Sequence, residues 1–90
     1  MQTSPSFILT LTTPKGILLT KEVTRVTLPS HEGEITILAH HEPLIALARK
    51  GIVVIETTTG EEEKVSIDAG IIEVHNDGTL VLLLEDATLE

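Results

Sequence analysis

His31, Glu32, Glu34, His40, His41 and Glu42 crowd into one short stretch, PSHEGEITILAHHEPLI, from Pro29 to Ile45. Imidazoles and carboxylates are the side chains that hold metals and move protons, so a metal centre or an acid/base pair is the chemistry to weigh. The spacing opposes both. A zinc-protease helix needs a second His four residues after the first, whereas His31-Glu32 runs on into Gly33-Glu34-Ile35. His40 and His41 are neighbours, and neighbours on a strand point to opposite faces. His75 sits beside a different turn. Glu61-Glu62-Glu63 reads as the solvated tip of a hairpin rather than a cation site. Nowhere do a nucleophile, a base and an orienting group occur together, and Gly60 and Gly78 are isolated turn glycines rather than a phosphate loop. The residues assign no catalytic group, no metal and no cofactor. A small His-dependent metal protein is kept as an alternative reading.

The elements that carry this window explain it better. Ninety residues is one small domain, near the lower size at which a single core suffices. Only Phe7 is aromatic, so Ile, Val and Leu must fill the interior. Cysteine is absent, which excludes disulfides and thiolate zinc sites. No apolar run reaches the length of a membrane-spanning helix, and the first residues lack the basic start and apolar stretch of a secretory signal. The net charge of -8 disfavours phosphate backbones and anionic membranes and suits a partner rich in Arg or Lys.

Period-2 alternation runs almost throughout. FILTLTT sets Phe7, Leu9 and Leu11 on one face before a turn at Pro14–Gly16. KEVTRVTLP is rich in β-branched residues and stops at Pro29, and GEITILA turns Ile35 and Ile37 inward. GIVVIETTTGEEEKVSI has hairpin form with its turn at Thr58–Glu61, and Asn76-Asp77-Gly78 is strong turn chemistry between two more apolar strands. Only EPLIALARKG admits a helical turn, and Pro43 argues against it. The expectation is all-β: a small antiparallel β-sandwich of about ten short strands, with 1–6 an extension, 7–87 the sandwich and 88–90 a tail. The expected core is Phe7, Leu9, Leu11, Val26, Leu28, Ile35, Ile37, Val53, Ile55, Val65, Ile67, Ile72, Val74, Val81 and Leu83.

Four segments, in order, resemble the N-terminal β-sandwich of the ε subunit of F-type ATP synthases, called δ in mitochondria. LTLTTPKGILLTKEVTRVTLPSHEGEITIL resembles the opening strands with their Gly-Glu loop, and AHHEPLIALARKG the family's Pro-x-His-x-Pro-Leu segment. GEEEKVSIDAGIIEV resembles the strand pair containing Ser-Gly-Gly, and LVLLLEDA the last strand. Ala39 stands where the family usually has Pro, and Thr36 where it has Gly. Arg49-Lys50-Gly51 replaces the common Pro-Gly, and Asp68-Ala69-Gly70 replaces Ser-Gly-Gly.

The resemblance implies a non-catalytic subunit of the rotating central stalk, peripheral on the cytoplasmic face of a bacterial plasma membrane. Its partners would be the γ subunit, met by a sandwich face, and the polar loops of the membrane c-ring. Glu32, Gly33, Glu34, His41 and Glu42 match the family's c-ring docking segment, and the basic c-ring loops complement Glu32 and Glu34 in charge. The short length after Asp86 implies a form without the family's inhibitory, ATP-binding helical hairpin. A stand-alone β-sandwich binding module with no rotary role is the other reading kept open.

Overall fold

The structure, a computed structural model, describes residues 5–90 and is built from nine strands with no helix among them. They are β1 (Phe7–Thr13), β2 (Gly16–Ser30), β3 (Gly33–Leu38), β4 (Leu44–Ala48), β5 (Gly51–Thr57), β6 (Glu62–Ile67), β7 (Gly70–Val74), β8 (Leu80–Leu84) and β9 (Ala87–Leu89). EPLIALARKG therefore holds a strand and no helical turn. It carries Leu44, Ile45 and Leu47 at close spacing, and pairing along all of β4 with β7 decides the conformation. The expected count of about ten becomes nine. Of the residues expected as a tail, Thr88 and Leu89 lie in β9, which pairs with β6, and the Glu90 N–H donates to the Lys64 carbonyl at 3.0 Å. Of the expected extension, residues 1–4 lie outside the described residues, while Ser6 Oγ donates a hydrogen bond to the Glu22 carboxylate.

The long strand β2 organises the rest. Its first half pairs antiparallel with β1, from Thr13↔Gly16 to Phe7↔Val23. Its second half pairs with β3 on one side and β5 on the other. A register shift between Val23 and Arg25 marks an irregularity that lets the strand bend from one layer into the other. One layer runs β4-β7-β8-β1 and the first half of β2; the second runs β3, the latter half of β2, β5, β6 and β9. All neighbours are antiparallel except β1 and β8, which run parallel with Leu11 opposite Leu82. A parallel pair needs a long crossover, and here most of the chain forms it.

Alternating residues of both layers meet in the core: Leu9, Leu11, Val23, Val26, Leu28, Ile37, Val53, Ile55, Val65, Ile72, Leu80 and Leu82 have no exposed surface. Thirteen of the expected core residues fit or adjoin this set, with Ile35 only partly buried against it. Val81 and Leu83 do not. In LVLLL every position is apolar, so the sequence contains no phase. Pairing supplies it, because Leu82 stands opposite both Leu11 and Ile72, which face inward. Leu80, Leu82 and Leu84 are consequently buried and Leu83 is turned out. Fully burying such a side chain contributes about 1.5–3 kcal/mol, so this aliphatic set can hold a small domain once conformational entropy is offset.

Gly70 on β7 is where the adjoining strand β8 leaves no room. It pairs with both Ala48 and Leu84, and a Cβ there would lie 2.1 Å from the Leu83 carbonyl oxygen. At Gly51 the nearest obstacle is the Pro29 ring at 3.0 Å, which can give slightly. Gly70→Ala should therefore lower unfolding stability by about 2–3 kcal/mol, the upper part of the usual cost of overpacking, and Gly51→Ala by less. Urea unfolding of the two variants checks the order, and an unperturbed Gly70→Ala would contradict the close approach.

Candidate docking site

The acidic window begins as a tight turn between β2 and β3. Ser30 pairs with Gly33, leaving His31 and Glu32 as the connection, with Gly33 at φ 116°. Ser at the first turn position and Gly at the fourth are the preferences of a type I turn. The Ser30 side chain ties the turn together: its hydroxyl donates to the Gly33 carbonyl at 2.6 Å and accepts from the Glu32 N–H at 3.2 Å. Ser30 is one of only two buried polar residues among those described. The His31 N–H donates to the Leu47 carbonyl at 3.1 Å, anchoring the turn to β4. A neighbouring hairpin repeats the device, with the Lys15 N–H donating to Thr13 Oγ1 ahead of Gly16. Glu32 and Glu34 are thus exposed carboxylates on a backbone with little freedom.

The other expected docking residues are elsewhere. His41 and Glu42 follow β3 at its far end, in the connection to β4. Strands rise about 3.3 Å per residue, so the four steps from Glu34 to Leu38 alone span about 13 Å. Glu32, Gly33 and Glu34 form one cluster; His41 and Glu42 lie at the other end of the same edge strand. Sequence adjacency hid this, because the intervening strand reads as a short spacer until it is extended.

That far turn carries the one positive φ at a residue other than glycine among those described, 65° at His40. The His41 N–H returns to the Leu38 carbonyl at 3.3 Å, and the His41 ring Nδ1 lies 2.7 Å from the Glu42 carbonyl oxygen, a bond in which the ring donates. A positive φ at the third position of such a turn fits type II, which favours Gly there and Pro before it. This chain has Ala39 and His40 instead.

The histidines are dispersed: His31 in the β2–β3 turn, His40 and His41 after β3, and His75 after β7, where its Nε2 meets Glu73 at 2.9 Å. Among the described residues no three His, Cys, Asp or Glu side chains converge as a metal site would require. Asp77 has a displaced acidity. Its exposed carboxyl is held below the ordinary carboxylate range, chiefly because it accepts the Thr79 N–H at 3.0 Å. That is turn stabilisation in the β7–β8 connection.

Residues 6–88 match the family model of the ATP synthase delta/epsilon chain, β-sandwich domain. The chain belongs to that family. It is 36% identical over 88 residues to the ATP synthase epsilon chain of Sulfurovum, covering 90% of this chain and 69% of that protein. The epsilon chain of Syntrophomonas wolfei is 36% identical over 86% of this chain and 56% of its own length. Against such relatives the chain spans little more than half to about two thirds of their length. Among solved structures, a chain of the Euglena gracilis mitochondrial ATP synthase, in an OSCP/F1/c-ring assembly, superposes with a TM-score of 0.89 at 27% identity, covering 99% of this chain and 56% of that one. A chain of the Tetrahymena thermophila central stalk and c-ring shares the fold, at TM-score 0.78 and 20% identity. These findings bear out the expected all-β sandwich and the family of the resemblance.

The strained turn gives a direct test. His40→Gly should raise stability by about 0.5–1 kcal/mol, since relief of a left-handed L-residue outweighs the extra freedom of the unfolded glycine. His40→Val should lose about 1–2 kcal/mol, because β-branched residues tolerate positive φ least. Chemical denaturation of both decides it; a destabilised glycine variant would contradict the turn assignment.

Proposed function

We propose that this chain is a non-catalytic rotor subunit of an F-type ATP synthase, seated on the cytoplasmic side of the membrane and locking the γ subunit to the c-ring. Family membership over nearly the whole chain carries this reading, together with close superposition on a chain from an ATP synthase assembly that includes a c-ring. The geometry is consistent with mechanical work. A close-packed aliphatic sandwich has low compressibility and transmits force between its surfaces. No deep cleft or group of convergent titratable side chains is needed for that task.

The docking element is the Ser30–Glu34 turn. Glu32 and Glu34 present two carboxylates on a turn clamped from within by Ser30 and from β4 through His31. A basic loop approaching them gains attraction at little cost in ordering, since the backbone is already set. His41 and Glu42 join the same contact only if the partner follows the β3 edge along its length. Charge of this kind governs recognition and encounter more than raw affinity.

Glu34→Lys is the experiment. Folding should change by about 0.5 kcal/mol or less, as is usual for an exposed loop charge. Reconstitution into ε-depleted ATP synthase should show weaker proton-coupled synthesis, with the deficit largest at low salt where screening is least. Full coupling by the variant at every salt concentration would remove Glu34 from the docking surface.

A further inference from the structure

The β7–β8 connection contains a peptide bond that can rearrange. Asp77-Gly78 is the one Asp-Gly pair in the chain, and Asn76 before it is the one asparagine. An aspartate followed by glycine is open to attack by the glycine nitrogen, because no Cβ shields that nitrogen. His75, Asn76 and Asp77 are all exposed, so water reaches the site. The closed turn nevertheless holds the two reacting groups apart. The Gly78 N–H donates back to the His75 carbonyl at 2.9 Å, while Asp77 Oδ1 accepts the Thr79 N–H at 3.0 Å. The nitrogen is thus tied to the residue before the turn and the carboxylate to the residue after it. A third bond, from the His75 N–H to the Thr79 carbonyl at 2.9 Å, closes the turn.

We propose that Asp77–Gly78 is a site of spontaneous covalent modification, at which the closed turn suppresses rearrangement to isoaspartate and opening of the turn releases it. The Gly78 nitrogen attacks Asp77 Cγ and gives up its proton. A Cγ–N bond forms, a Cγ–O bond breaks, and water leaves a five-membered succinimide. Water then adds to the ring carbonyl that was the Asp77 main-chain carbonyl, breaks its bond to nitrogen and frees it as a carboxylate. Composition is unchanged, but the backbone now runs through Cβ and Cγ and is one carbon longer. The Asp77 carboxyl is held below the ordinary carboxylate range, chiefly by the Thr79 N–H, so it stays ionised and is a poor electrophile. One hydrogen bond therefore restrains the step by position and by charge. At Asp68 and Asp86 the carboxylate accepts the N–H of the next residue at 2.9 Å, but that residue is alanine, whose methyl group crowds the nitrogen. The consequence at Asp77 reaches the core. Val74 pairs with Leu80 directly beyond the turn, and Leu80 has no exposed surface. An added backbone atom between His75 and Thr79 disturbs the pairing that sets β8, so the isoaspartyl chain should unfold at lower denaturant than its parent.

The test incubates the purified chain for weeks in neutral buffer, folded or in guanidinium, and maps isoaspartate by peptide digestion and electron-transfer fragmentation. Isoaspartate should accumulate at Asp77 about fivefold faster or more in guanidinium, because a closed turn reacts only through its open fraction. Thr79→Pro removes the N–H that holds the carboxylate and should raise the folded rate severalfold towards the unfolded one. If circular dichroism shows that the proline variant does not fold, Asp77→Asn makes the same folded-against-unfolded comparison, with ammonia leaving in place of water. Equal rates in the folded and unfolded parent, or in the folded and unfolded Asp77→Asn chain, would overturn the protection. A folded Thr79→Pro chain reacting no faster than its parent would do the same. Isoaspartate appearing first at Asp68 or Asp86, or at no position even in guanidinium, would overturn the site itself.

Discussion

The sandwich depends on one strand belonging to both of its layers. β2 is fifteen residues long, and Val23 sits where its two halves meet, paired to Phe7 in one layer and Thr57 in the other. Val23 is fully buried at that crossing. Two sheets held only by side-chain contacts could slide; two sheets sharing a continuous backbone cannot do so without breaking a ladder. With a single aromatic residue, the core relies on many interlocked aliphatic side chains, and such packing resists deformation on every side. At the margin, Lys21 on β2 meets Glu63 on β6 at 2.5 Å, an exposed pair whose contribution is small beside the shared strand.

The same economy appears in the turns. A hydroxyl residue at the first position accepts a backbone N–H within the turn, and glycine at the fourth position accepts the positive φ, so Thr13–Gly16 and Ser30–Gly33 each close a hairpin with few residues. At Ser30–Gly33 this aims two carboxylates from the end of the sandwich. The turn at Ala39–His40 lacks such a fit and holds a non-glycine residue at positive φ instead.

Much of this was legible from residues alone. β1, the β5–β6 hairpin and the Asn76-Asp77-Gly78 turn follow from alternation and turn chemistry, because polar residues there mark the outer face unambiguously. Where alternation is lost, so is the phase. LVLLL and LIALA are apolar at every position, and each hides the orientation of its strand: Leu83 outward on β8, and on β4 Ile45 and Leu47 outward with Ala46 and Ala48 within. No propensity rule recovers that, since the orientation comes from partners distant in sequence such as Leu11 and Ile72. The residues proposed for docking were legible as types and as a resemblance to a family segment. Their division between the two ends of β3 required the strand itself.

Through β2 the two layers form one body. Native-state hydrogen exchange on the free chain, followed against denaturant, reads it residue by residue. Hydrogen-bonded amides in the half of β2 that pairs with β1 and in the half that pairs with β5 should open with the same free energy, within about 1 kcal/mol, and at the level of global unfolding. Two separate opening free energies, with one half of β2 exchanging well before the other, would mean that the layers come apart independently and that the sandwich is no rigid coupling.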